Sequence, residues 1–271
     1  MKKRGFKIFL WAVSIVIFLV LTGLVVNRYG MNKCRGVQIN IHAPEDGAFL
    51  TQEDVRSYIS EAGDSLTGAD LSNINVEKLE SIINQQPYVL SSKVYITLSG
   101  ILKIDITERT PIARVQPDLR MEKIKNYGSY YITSDGRMIP VEDGKVARVV
   151  FVNGKIRNLY AEFIKLDVDS TQMAEDTTGF MTTLYTIYHV AGFISKNKFL
   201  KAQIQQIFVE ENGDLVFIPE VGDHIIIFGD GNDMANKFRR IEIFYEKAAF
   251  IKGWDKYDTI NVKYKNQIIC S

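Results

Sequence analysis

From Ile8 to Val26 the chain carries no charged residue. This run of about 19 residues would span about 28 Å as a helix, close to the hydrocarbon thickness of a bilayer. Lys2, Lys3, Arg4 and Lys7 precede it, and Trp11 and Tyr29 stand near its two ends. Positive charge before the run and amphipathic rings at its margins orient such a segment with its N-terminus in the cytoplasm. Arg28, Lys33 and Arg35 come after it, so the charge bias is modest. The pattern predicts a cytoplasmic stub over 1–5, a transmembrane helix over 6–26, a linker over 27–35 and the rest of the chain outside. A cleaved signal peptide fits less well, because its apolar core runs to roughly 7–15 residues and closes on a small-x-small site. Here the run closes with LTGLVVNRYG, and Cys34, preceded by Met-Asn-Lys, is not in a lipoprotein signal.

Beyond the apolar run the composition is that of folded domains. The whole chain has 271 residues, 46% hydrophobic and 24% charged, enough for two modest domains beyond the anchor. Lys+Arg number 33 against Asp+Glu 32, a net charge of +1 with no basic stripe, which argues against nucleic acid as a partner. Cys34 and Cys270 stand near opposite ends and form no CxxC or Cys/His cluster, so they offer no zinc ligand set; a disulfide between them is only formally open. His42, His189 and His224 stand apart, and no nucleophile elbow, phosphate loop or metal-spaced cluster occurs. The acidic loops EDGK, ENGD and GDGND lack the alternating oxygen ligands and distal glutamate of a calcium loop. No catalytic residue, cofactor or metal site is expected, and an enzyme is not the favoured class.

Val37, Ile39 and Ile41 alternate with polar residues as a strand that Pro44 and Gly47 break. Thr51, with Asp54 three residues on, makes a near capping box for a helix whose apolar face is Val55, Tyr58, Ile59 and Ala62, closed by Gly63. Asn75 caps a second helix carrying Val76, Leu79, Ile82 and Ile83, which Pro87 stops. Val94, Ile96 and Leu98 then alternate, as do Leu102, Ile104 and Ile106, with Ser99-Gly100 between them as a hairpin turn. Strand, helix, helix, strand, strand make a compact α+β unit.

This order, just outside a single anchor, resembles a POTRA domain. The stretch VYITLSGILKIDITERTPIARV resembles the end of that domain in the bacterial cell-division family FtsQ, also called DivIB, whose V-x-E-R-x-P-x-A pattern is met by Ile106, Glu108, Arg109, Pro111 and Ala113. Read from the residues alone, Glu108 and Arg109 are charges at a domain junction and equally a solvated strand end. The resemblance divides the outer part into a POTRA-like domain over 36–110 and a β domain over 111–271.

In the second part, Tyr130 and Ile132 lead into a turn at Asp135-Gly136, with Met138 and Val141 beyond, similar to the hairpin that opens the family's β domain. From Gly154 to Thr177 the sequence carries no legible pattern. Phe180, Met181, Leu184, Tyr185, Ile187, Tyr188 and Ala191 are spaced as one face of a helix over 178–194. Three strands come next, turned at Asn212-Gly213 and at Val221-Gly222-Asp223. A helix with Met234, Phe238, Ile241, Phe244 and Tyr245 on one face closes at Gly253. The last stretch, YDTINVKYKNQIICS, alternates Ile260, Val262, Tyr264 and Ile268 against Asn261, Lys263, Lys265 and Gln267. It predicts one strand from Asp258 to Cys270, bent at Lys265-Asn266 because strands of that length are unusual. The fold class expected is α+β, a transmembrane helix, a POTRA-like domain, then a mixed β-sheet domain with two long helices.

The blocks IPEVG, IIIFG, KFRRIEIFY and YDTINVKY are similar in order and spacing to the carboxyl half of the same family, so the resemblance covers roughly residues 6–270. It implies a non-enzymatic single-pass scaffold of the septum machinery in the cytoplasmic membrane at the division site. In this family FtsB, and with it FtsL, adds a strand to the end of the β domain, while the POTRA domain contacts other division proteins. The aromatic contact of that site falls on Tyr264, which period 2 equally assigns to the core beside Ile260 and Val262; Lys263, Lys265, Asn266 and Gln267 flank it. Where this family commonly has Asp and Arg, the chain has Asn261 and Lys263, so a cross-strand pair at those positions is not carried over. A membrane-anchored POTRA-containing assembly or secretion factor is the alternative, weakened because too few residues remain for an outer-membrane barrel.

Overall fold

The computed structural model describes residues 11, 13–24, 33–61, 66–118, 128–156, 180–249, 253 and 256–271. Residues 13–24 are helical, and Ile15, Phe18, Leu19 and Leu24 are exposed. Thr22 Oγ1 donates back to the Phe18 carbonyl at 2.7 Å, the local bond by which a hydroxyl is satisfied in an apolar helix. Among the described residues no helix is long and apolar enough to cross a membrane. Most of the remainder of the expected span over 6–26 lies outside them, as do the stub over 1–5, the helix close at Ala62-Gly63, and most of the unpatterned stretch after Gly154.

The chain divides into two compact units, one of residues Met1–His42 and Leu50–Glu108, the other of Ala43–Phe49 and Arg109–Ser271. The first is built from β1 (Gly36–His42), α1 (Gln52–Glu61), a short 3-10 turn (Leu71–Asn73), α2 (Val76–Asn84), β2 (Val89–Ile96) and β3 (Ile101–Glu108). Its sheet runs β1-β3-β2, with β1 parallel and β2 antiparallel to the central β3. Register brings Ile39, Ile104 and Val94 into one row, all buried, and Val55, Ile59, Leu79 and Ile83 of the helices close over that face. Both helix starts are set by local side chains. Thr51 and Asp54 form the reciprocal box, Thr51 N–H donating to Asp54 Oδ2 at 2.8 Å and Asp54 N–H to Thr51 Oγ1 at 3.1 Å. Asn75 Oδ1 accepts from the Lys78 N–H at 2.9 Å. Leu98 departs from expectation: it sits in the turn, 94% exposed, because the Thr97 N–H already closes the hairpin on the Ile101 carbonyl.

The second unit is one nine-stranded mixed sheet backed by helices. Its strands are β4 (Pro111–Val115), β5 (Tyr130–Thr133), β6 (Met138–Pro140), β7 (Val150–Gly154), β8 (Ile204–Val209), β9 (Leu215–Pro219), β10 (Ile225–Gly229), β11 (Thr259–Asn261) and β12 (Ile269–Cys270), in the spatial order β12-β11-β10-β9-β8-β7-β4-β5-β6. The helices are α3 (Phe180–Lys196), α4 (Lys198–Gln203) and α5 (Met234–Ile243), the last running into a π-helical turn (Phe244–Ala249). Val152, Ile207, Phe217, Ile226 and Ile260 carry the inward face across five strands, and Leu184, Ile187, Ala191, Phe238 and Ile241 meet them. Phe238 is the central ring, stacked on Phe193 at 4.5 Å and lying 5.0 Å from Phe228, which stacks on Phe217 at 4.6 Å. Helix α4 has no counterpart among the sequence expectations, although Asn197 caps it by accepting from the Phe199 and Leu200 N–H groups at 3.0 and 3.1 Å.

Glu108 and Arg109 are buried, which excludes a solvated strand end. Within the first unit Glu108 Oε1 accepts from the Leu50 N–H at 3.1 Å; within the second, Arg109 pairs with Asp135. Cys34 and Cys270 form no disulfide.

The central position of Ile104 gives a direct stability expectation. Ile104→Ala should cost about 2–5 kcal/mol in the urea unfolding of the first unit, whereas Leu98→Ala on the exposed turn should stay within about 0.5 kcal/mol of the parent. Equal midpoints for the two variants would contradict the assigned core.

Candidate partner-binding edge

The carboxyl-terminal stretch is not one bent strand. It is two short strands joined by a reversing loop, with β11 parallel to β10 and β12 antiparallel to β11. The reversal has a local cause. Asn261 Oδ1 accepts from the Lys263 N–H at 3.0 Å, an Asx turn that takes the backbone out of the ladder, and Asn266 adopts a left-handed conformation with φ 60°. Ile260↔Cys270 and Asn261↔Ile269 fall opposite each other, and the last residue is tied in where Asp258 and Thr259 N–H donate to the Ser271 carbonyl at 2.8 and 3.1 Å.

This arrangement moves the sheet's rim. β11 has a strand on each side, so it offers no edge over its paired length; β12 is the terminal strand. Lys263, Tyr264, Lys265, Asn266 and Gln267 lie together in the exposed loop between them rather than along a strand. Tyr264 is 50% exposed, which removes its core assignment: period 2 ends at Val262, which is buried, and resumes with Ile268, which packs partly against the core. Ile269 and Ile225 are exposed apolar side chains of this region.

Two cations hold the point where β11 ends. Arg240 of α5 donates from Nη2 to the Val262 carbonyl at 2.9 Å, and Lys263 Nζ reaches Asp214 Oδ2 at 2.5 Å. The hydrogen bond that Lys263 donates to the Asp214 carboxylate holds the ammonium's pKa above its ordinary value. Gly229, at φ 77°, makes room for the stem of that lysine; a Cβ there would lie 2.6 Å from Lys263 Cγ. Lys263 is therefore already committed within the chain, and it anchors the loop that presents Tyr264. Arg240 and Asp214 carry no sequence signal of this role, because both act across long separations.

Behind β10 sits His224, buried, with Nε2 2.7 Å from the Tyr245 hydroxyl and Nδ1 without a partner. A neutral ring donating from Nε2 leaves only an acceptor unmade, the cheaper arrangement in a dry site. Burial holds the imidazole below its ordinary proton affinity, opposed by the charge of Asp223, and burial pushes the Tyr245 phenol up to about 12. His189 lies beside Tyr185 and Tyr188 at 4.1 and 5.1 Å between ring centroids, and His42 ends β1.

Among the described residues no cluster of three or more His, Cys, Asp or Glu is placed to hold a metal ion. An open cavity of about 700 Å3 in the second unit sets Arg148, Lys198 and Lys201 against Asp46 and Glu220. Lys201 pairs with Asp46, and the one hydroxyl there, Ser195 Oγ, donates to the Gly192 carbonyl at 3.0 Å. These groups match opposite charges rather than aligning a nucleophile with a base.

His224 gives the second unit an acid sensitivity of defined sign. A histidine that binds protons more weakly when folded than when unfolded loses stability as pH falls through the unfolded value, about 6.5, down to the lower folded one. Between about pH 7.5 and 5.5 the parent chain should therefore lose more thermal stability than His224→Gln, measured by the difference in Tm slopes; parallel slopes would refute the assignment.

Residues 110–271 match the family described as FtsQ/DivIB, C-terminal related, and residues 32–107 match the POTRA-like domain. None of the curated proteins compared matches the chain.

Proposed function

The chain belongs to the FtsQ/DivIB family of cell-division proteins, and from that membership we propose that it is a non-enzymatic, single-pass scaffold of the septum machinery that recruits FtsL/FtsB-type partners at the β12 edge. Members of this family are components of the division apparatus that interact with other division proteins. The observation that carries the finer reading is the place of β12, terminal in a nine-stranded sheet. An extended segment adding there gains main-chain hydrogen bonds, while side-chain pockets at alternate positions give specificity.

Tyr264 is the anchor of the proposed contact. It is a large ring with a polar tip on a loop braced by Lys263–Asp214, and Ile269 on β12 is a further exposed apolar side chain. Lys265, Asn266 and Gln267 serve as polar rim, where individual contacts contribute little but exclude water. Lys263 acts through the loop's shape as much as by contact. The POTRA-like unit is left for other division proteins. Residues 6–26 anchor the chain with its N-terminus in the cytoplasm and its body outside. The uncharged run, the basic residues before it and the internally satisfied Thr22 support that topology. Tethering both partners to one membrane raises their effective concentration, so a short β12 with modest intrinsic affinity suffices.

The full chain and its FtsL/FtsB-type pair, reconstituted in one bilayer, test the contact. Tyr264→Ala combined with Ile269→Asp should weaken capture of the pair about tenfold or more, equivalent to about 1.4 kcal/mol, with far-UV circular dichroism unchanged. Undiminished capture by the folded variant would remove the β12 edge as the docking site. Depletion of the chain in its native host should leave long undivided cells; normal division would remove the scaffold role itself.

A further inference from the structure

The first unit also ends in an outer strand, β2, and here two of its amides are already taken. The Ser92 N–H donates to Asn84 Oδ1 at 2.7 Å, and the Val94 N–H donates to Glu80 Oε2 at 3.0 Å. Ser92 Oγ adds a longer bond to the Glu80 carbonyl at 3.4 Å. Both amides belong to the terminal strand of the order β1-β3-β2, at alternate positions, and both acceptors belong to α2.

The spacing explains why a helix can do this. Side chains four apart on a helix lie about 5–6 Å from each other. Alternate residues of a strand lie about 6.6 Å apart. Because α2 doubles back beside β2, Glu80 and Asn84 meet Val94 and Ser92 in reverse order, one oxygen for each amide. The two side-chain oxygens stand where the carbonyls of an added strand would stand. Neither residue is needed for the core, since the buried side chains of α2 are Leu79 and Ile83, each one position earlier. One stripe of the helix faces inward and the next faces the sheet's rim. On the opposite edge strand, β1, Gln52 Nε2 reaches the Ile39 carbonyl at 3.4 Å, and just before β1 the Cys34 N–H donates to the Ala69 carbonyl at 2.8 Å.

We propose that Glu80 and Asn84 are an edge guard that closes β2 to strand addition, the occupant excluded being β2 of a second copy of this chain. Antiparallel pairing of two such edges is two-fold symmetric and self-complementary, the commonest form of self-association. An unblunted edge on chains crowded in one membrane invites it. The inference stands whatever partner the second unit takes.

The experiment uses the full chain in detergent micelles. Glu80→Ala with Asn84→Ala should convert it into a reversibly self-associating species by sedimentation equilibrium, at least tenfold tighter than the parent. Glu80→Gln with Asn84→Asp, which keeps an acceptor oxygen at each position, should behave as the parent. A folded double-alanine chain that associates no more than the parent overturns the proposal. So does a Gln/Asp chain that associates as strongly as the alanine one. Should the alanine chain fail to fold, hydrogen exchange in the parent decides: the Ser92 and Val94 amides should exchange at least tenfold more slowly than unprotected amides, and unprotected exchange overturns the guard.

Discussion

A strand at the end of a sheet carries N–H and C=O groups on its outer side that must find partners in water, in side chains or in another chain. The two sheets of this protein meet that requirement in opposite ways. In the first unit the outer strand is short of water-facing donors, because Glu80 and Asn84 accept from the Val94 and Ser92 amides. In the second, the sheet ends at a two-residue strand reached through a loop whose side chains point outward. In one, side-chain oxygens already take amides of the outer strand; in the other, the terminal strand is two residues long and follows an exposed loop.

For the proposed docking at β12 stiffness matters, since each freely moving residue at an interface adds an ordering cost on binding. The stiffness here comes from behind. Ile226 and Ile260 are buried on adjacent strands, Phe228 is packed on Phe238, and Arg240 extends from α5 to the Val262 carbonyl. The Asx bond of Asn261 then ends β11 at a fixed place. Asn261 and Lys263 each make a bond within the chain, one local and one across the fold. Asn261 forms the turn, and Lys263 forms an ion pair with Asp214.

Helical spacing makes α1, α2, α3 and α5 legible, and capping residues place two of their starts within a residue. Alternation likewise locates the strands of the first unit, and the turn residues Asn212-Gly213 and Val221-Gly222-Asp223 separate β8, β9 and β10. Periodicity fails where a short-range bond overrides it. Tyr264 continues the alternation of Ile260 and Val262 in sequence, yet one side-chain oxygen at Asn261 ends the strand before the pattern reaches it. Leu98 fails for the same reason, displaced by hairpin closure at Thr97. Strand β7 and helix α4 carry too few residues for a period to emerge. Arg240, Asp214 and the Glu80–Asn84 pair are invisible for another reason: each acts on backbone made close only by the fold, and no spacing rule for a lone polar residue reports that.

The stripe beside the apolar one on a helix is usually counted as solvent-facing, and α2 shows what that count misses. Leu79 and Ile83 set the helix on the sheet; the residues directly after them, by the hundred-degree step of the helix, are then aimed past the sheet's margin. Any acceptor with a short stem at those two positions meets the margin's amides, whereas a lysine or alanine there meets none. The edge's behaviour is thus decided by two surface residues that add nothing to the core. Substitution at such positions changes which surfaces a folded chain offers to others while leaving the fold itself intact.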